Sequence, residues 1–172
     1  MVTSWERHCG IYTYSRPLVE EMRRQGHEVH VVCHTDTAEA PFVHPVIDLS
    51  QPEWYYALEK KVAELRPDVV HVQFEYGLYA RRRPDAPYHR GAGDAFELAT
   101  PLFVWKLIGQ PTVMTVHSDN EGAPDRLAFI DAVGRLVGAN VVHTPYGARP
   151  SGHVRVIPHM APALVSFPDA KA

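Results

Sequence analysis

Cysteine is scarce: the 172-residue chain carries two, Cys9 and Cys33, and their spacing fits neither a zinc pair nor a redox CxxC, so structural thiols are the default reading. Long hydrophobic runs are missing as well. No stretch of eighteen apolar residues occurs, and Glu6 and Arg7 stand where a signal peptide would need an apolar core, which points to a cytoplasmic protein. Positive charge is not in excess. With a formal net charge of -3 and no long basic stripe, the chain lacks the phosphate-neutralising surface of a nucleic-acid binder. Paired metal-ligand spacings are absent too: eleven histidines include no HExxH, and scattered ones such as His8, His30 and His89 fit surface or hydrogen-bonded core positions, so no metal is expected. Internal repeats and low-complexity tracts are also lacking.

What is present suits a folded globular domain. Apolar residues make up 45% and charged residues 22%, and the length suffices for one domain with a proper core. Short β-branched runs at Val29 to Cys33, Val69 to Phe74, Thr112 to Val116, Asn140 to His143 and Val154 to Ile157 predict strands buried on both faces. Between them lie patterns near the 3.6-residue period: Leu18, Val19 and Met22; Trp54, Leu58, Val62 and Leu65; Leu102, Phe103 and Leu107; Leu127, Ile130, Val133 and Val137. Trp54 and Trp105 share that spacing and read as core. Alternating strand and helix predicts a doubly wound, mostly parallel α/β sheet with helices on both faces.

Gly26, Pro67-Asp68 and Gly109-Gln110-Pro111 punctuate the elements. Pro17 conflicts with the first helix, which must start at about Tyr14 or kink. Arg81 to Asp94, rich in Pro, Gly and Arg, reads as a long loop. The expected domain covers 1–157, with 158–172 as the start of an interdomain linker. Met1 to Ser4 resembles only the end of a first strand, so the natural start is expected upstream.

Ligands of open α/β sheets bind beyond the carboxyl ends of the strands. After the first stub comes Glu6-Arg7-His8-Cys9-Gly10-Ile11, a loop into a helix whose free amides suit a phosphate; it is not GxGxxG, and ordinary turn geometry explains the glycine equally well. The pleat aims His71, Gln73 and Glu75 to one side, either as groups that handle protons or sugar hydroxyls or as hydrogen-bonded core residues and a loop cap. His117-Ser118-Asp119-Asn120 and His143-Thr144-Pro145-Tyr146 follow two further strands. Polar groups converging on one edge describe a site for a hydroxyl-rich ligand. Arg81-Arg82-Arg83 is read either as a solvated run or as a contact for an anionic acceptor or for lipid headgroups at the inner face of a membrane.

Four landmarks in order resemble the N-terminal domain of retaining family 4 glycosyltransferases of the GT-B fold. They are Gly10-Ile11-Tyr12-Thr13-Tyr14-Ser15 with the following Gly26-His27-Glu28-Val29, then Asp68 to Gly77, Pro111 to His117, and Val156-Ile157-Pro158-His159. The resemblance implies a Rossmann-like acceptor-side half of an enzyme that moves a sugar from a nucleotide diphosphate sugar to a carbohydrate or lipid-linked acceptor, with no obligatory metal. By position, Gly10 would face the donor diphosphate and His117 the reacting centre. Glu75 and Tyr76, with His71 and Gln73, would line the acceptor side. The chain departs from the family at Cys9-Gly10, where two glycines are usual, and at Met160, where a glycine is usual. The C-terminal GT-B domain, with its paired glutamates and basic grip on the diphosphate, is absent, so the chain by itself is expected to be inactive. The alternative is a Rossmann-like module that binds a sugar or nucleotide without catalysis.

Overall fold

The structure, a computed structural model, describes residues 1–6, 9–79, 107, 109–117, 134–143 and 153–157. The elements are α1 (Gly10–Arg24), β1 (Val31–His34), β2 (Val43–Ile47), α2 (Trp54–Leu65), β3 (Val70–Phe74), α3 (Tyr76–Tyr79), β4 (Thr112–Val116), β5 (Ala139–Val142) and β6 (Val154–Val156). β1 pairs with β2, and β3 to β6 pair in chain order, all parallel. Val2 joins the two groups, because it bridges both Val32 and Val72 in parallel. Its N–H donates to the His71 carbonyl at 2.8 Å and its carbonyl accepts from Gln73 N at 2.9 Å, while Thr3 N reaches the Val32 carbonyl at 3.1 Å. The N-terminal stub is thus a one-residue central strand, and the sheet runs β2-β1-Val2-β3-β4-β5-β6, a doubly wound Rossmann-like order.

Alternation sorts the core into two layers. Val32, Val70, Val72, Phe74, Met114, Val116 and Val142 pack on one side with Trp54, Leu58 and Val62 of α2. Burying a side chain the size of Leu58 contributes about 2 kcal/mol. Tyr79 stacks between Trp54 and Phe74, its ring 6.1 Å from each, and its hydroxyl donates to the Gln73 carbonyl at 2.8 Å. On the other side Val31 and Cys33 meet Val19 of α1, together with Trp5, Val29 and Val43.

α1 begins at Gly10, earlier than the proline conflict suggests, and carries Pro17 in its interior. Pro17 has no N–H for the Thr13 carbonyl, and the buried stripe of Tyr14, Ser15 and Val19 outweighs that loss. The helix ends as expected at Gly26, whose φ of 89° lets Gly26 N reach the Arg23 carbonyl and His27 N the Met22 carbonyl, at 3.0 and 3.1 Å. Replacing Gly26→Ala forces a Cβ into this left-handed turn. Denaturant titration is expected to show a loss of about 1 kcal/mol.

Pairing starts at Val31 instead of Val29, since the Gly26 turn consumes the intervening residues and the first ladder bond is Val31 N to the Phe42 carbonyl, 2.7 Å. β3 begins at Val70 rather than Val69, β5 covers Ala139–Val142 rather than 140–143, and β6 stops at Val156. β2 is a strand that the pattern analysis missed. Pro45 within it marks a non-strand residue in a central position, but β2 is the sheet edge, where a missing N–H costs no ladder bond.

The expected helices through Leu102 and Phe103 and through Leu127 to Val133 lie outside the described residues, as do Trp105, the Arg81 to Asp94 loop, His8, His89 and the linker 158–172. Leu107 is buried, and Val137 packs against the α2-side core. Among the described residues no helix is long and apolar enough to cross a membrane.

Candidate functional site

The same alternation that puts Val70, Val72 and Phe74 under α2 turns His71 and Gln73 toward the α1 side of the sheet. There they form a continuous polar chain with β4. His117, the first residue past β4, donates from Nε2 to Gln73 Oε1 at 2.7 Å. Gln73 Nε2 lies 3.2 Å from His71 Nε2, and His71 Nε2 is 2.8 Å from Thr115 Oγ1. Gln73 and Thr115 are fully buried, whereas His117 is half-buried at the rim. The register sets this chain up, because Gln73 stands opposite Thr115 and Phe74 opposite Val116, and the His117 N–H closes on the Phe74 carbonyl at 2.9 Å.

Burial holds the His71 imidazole down to about 4, so it is neutral at physiological pH. A neutral ring gives Nε2 either one proton or one lone pair, and the Thr115 hydroxyl, the nearer of its two neighbours, can serve as partner in either case.

His143 joins the rim from the neighbouring strand. Val116 pairs with Val142, so the two histidines occupy equivalent positions just past β4 and β5, with rings 4.9 Å apart. Tyr14 of α1 closes the group, edge-on at 5.0 Å to both His117 and His143. Burial raises the pKa of its hydroxyl, so it stays protonated. His143 is oriented by its partner: Nδ1 donates to the Ile157 carbonyl at 2.9 Å.

Gly10 opens α1 one turn before Tyr14, so the amino end of that helix and the histidine rim share the carboxyl edge of the sheet. A Cβ built on Gly10 meets nothing within 4 Å. The Cys9 side chain makes no capping bond to the helix; its thiol sits 2.9 Å from Ser4 Oγ instead, and behind it Thr3 Oγ1 bonds Ser15 Oγ at 2.7 Å. First-turn amides without an intrahelical acceptor, next to neutral polar side chains, give an edge that suits an anion.

Glu75, directly after β3, accepts from Leu78 N through its carbonyl at 3.0 Å and so starts α3. Its charge and, above all, burial push the Tyr79 hydroxyl up. Tyr76 opens α3, and its side chain lies outside the described residues, as do Ser118 to Asn120 and Thr144 to Tyr146.

The structure therefore brings His71, Gln73 and His117 into one hydrogen-bonded chain and sets Gly10 one helical turn from Tyr14, which abuts His117. Glu75 follows on the same strand edge. His143, read among the polar groups at the strand ends, joins them at the rim, where "VVH" after β5 matches "TVH" after β4. Tyr14 was missed as a member of the site, and its signal was positional: it stands four residues beyond Gly10.

A family model described as Glycosyltransferase Family 4 matches residues 9–161. No curated protein and no solved structure gives a significant match to the chain.

Proposed function

Since the chain belongs to glycosyltransferase family 4, we propose that it is the acceptor-side half of an enzyme that transfers a sugar from a nucleotide diphosphate sugar to a carbohydrate or lipid-linked acceptor, with retention, when joined to a C-terminal GT-B domain. The observation that carries this reading is the shared edge: the amino end of α1 at Gly10 and the His117 imidazole meet through Tyr14.

In this reading the α1 amides and Gly10 face the donor diphosphate, since a bare backbone lets the phosphate oxygens approach closely. His117 contacts the sugar being transferred, where an oriented imidazole meets charge that develops as the glycosidic bond to the nucleotide breaks. Glu75 and Tyr76 line the acceptor side, and His71 and Gln73 support it from below. No resident metal takes part. Cationic groups of the second domain stabilise the departing diphosphate, so residues 1–172 alone turn over no donor.

Gly10→Ala tests the donor half of this assignment. The added methyl meets open space, so stability is expected to hold or rise slightly, whereas a diphosphate seated on the backbone is obstructed. Nucleotide release by the intact protein, assayed with a panel of uridine, guanosine and thymidine diphosphate sugars, is expected to show a KM for the preferred donor raised about tenfold, about 1.4 kcal/mol of lost binding. An unchanged donor KM removes Gly10 from the site. No release with any donor by the intact protein favours the binding module.

A further inference from the structure

The polar chain beneath the rim has a direction. An amide side chain has one accepting and one donating end, so whatever fixes one end of Gln73 fixes the other. Its nitrogen donates toward the Met1 thioether sulfur at 3.9 Å and lies 3.2 Å from His71 Nε2. Its oxygen is thereby turned to His117 at 2.7 Å, and an oxygen in that position accepts. The arrangement is locked from below, because Gln73 is fully buried, its main-chain carbonyl is held by the Tyr79 hydroxyl, and His71 is tied to Thr115 on the next strand.

We propose that Gln73 is a positioning residue that decides which nitrogen of His117 is basic: it holds Nε2 as the donor and leaves the lone pair of the neutral ring on Nδ1. Met1, at the amide nitrogen, sets the sense of the chain, and His117 presents its outcome at the rim. The contribution to sugar transfer rests on the functional reading above, but the tautomer does not. The tilt of the ring is fixed as well, since the Nε2 bond at one end and the edge-on contact with Tyr14 at 5.0 Å leave one orientation. His143 shows the opposite assignment, Nδ1 donating to a carbonyl, so adjacent rim positions donate through opposite nitrogens. The two rings, 4.9 Å apart, would otherwise be interchangeable by sequence.

The charged groups that bear on His117 separate the expected shifts. Gln73→Glu puts a carboxylate against Nε2 and is expected to raise the His117 titration midpoint by at least about one pH unit. Gln73→Met keeps the volume, removes the acceptor of the imidazolium and is expected to lower it. His143 and the neutral His71 stay in place in both variants, and the Tyr14 hydroxyl remains protonated.

The test is a nitrogen-15 histidine titration of the intact protein by NMR, with the His117 signal identified by its loss in His117→Asn. Below its midpoint the ring is doubly protonated; above it the wild type is expected to show Nε2 protonated and Nδ1 bare. An Nδ1–H signature in the wild type overturns the proposal without any variant. So does a His117 midpoint that stays put in both folded variants, which is what a merely packed glutamine would give. The acid limb of nucleotide release is expected to move with the midpoint. Shifted midpoints with an unmoved rate profile leave the positioning role standing and remove His117 from the transfer reaction instead.

Discussion

His117→Ala in the intact enzyme is expected to lower kcat for nucleotide release at least about 100-fold, the scale of losing one preorganised polar group that meets developing charge. The physical basis is the rigidity of the residue it removes. His117 is fixed by its own backbone bond to Phe74, by the Gln73 amide at 2.7 Å and by the edge of Tyr14, so it pays no reorganisation as charge develops. A ring held on two sides over an anchored backbone is worth more than one that must be gathered from solvent. The stability change is expected to be small by comparison, about 1 kcal/mol, because Gln73 Oε1 loses a donor at a half-buried rim where water can replace it. The kinetic and thermal effects therefore separate. Undiminished turnover at full donor saturation removes His117 from the reacting centre, and a collapse of the thermal transition that matches the loss of rate assigns it to the fold instead.

How far such a site can be seen in the sequence depends on which force places each residue. Strands β3 and β4 were legible because continuous β-branched runs buried on both faces have no other use, and the Thr112 to Val116 run is the strand to the residue. β2 was not legible, since the penalty for Pro45 vanishes only at an edge, and the order of strands is a tertiary fact. Of the two outcomes that Pro17 allowed, the late start is not found, for a related reason: the cost of Pro17 is local, and the buried contacts of Tyr14 and Val19 that offset it are not. At the site, the pleat spacing of His71 and Gln73 placed them on one face, but it left open whether they bind ligand or belong to the core. The geometry links them in one hydrogen-bonded chain, with Gln73 buried, His71 half-buried and His117 at the rim. Tyr14 was hidden because its spacing from Gly10 is meaningful only once the helix is known to begin there.

That buried placement has a consequence away from catalysis, in the response of the fold to acid. The folded-state pKa of His71 is lowered to about 4 by burial, from the ordinary histidine value of 6.5 that the unfolded chain recovers. Between those values the unfolded state binds a proton that the folded state refuses, so stability rises with pH across the window and is lost as pH falls through it. The full shift corresponds to about 3 kcal/mol, of which about 2 kcal/mol disappears between about pH 7 and about pH 5. Carboxylates do not mimic this. Glu21, Asp48 and Glu64 have lowered pKa values through hydrogen bonds to Arg24, Ser50 and Lys61, so their stabilisation is lost only on further acidification, below the ordinary carboxylate range. His44, lowered chiefly by burial and then by His30, has the same sign as His71, and a variant is needed to separate the two. His71→Gln keeps a hydrogen-bonding group beside Thr115 and Gln73 but cannot titrate. Urea titrations at the two pH values are expected to show the wild type losing about 2 kcal/mol more than the variant over that interval. Equal losses would mean that the unfolded-state proton is matched in the folded protein, and that His71 is open enough to water to carry charge beneath the rim.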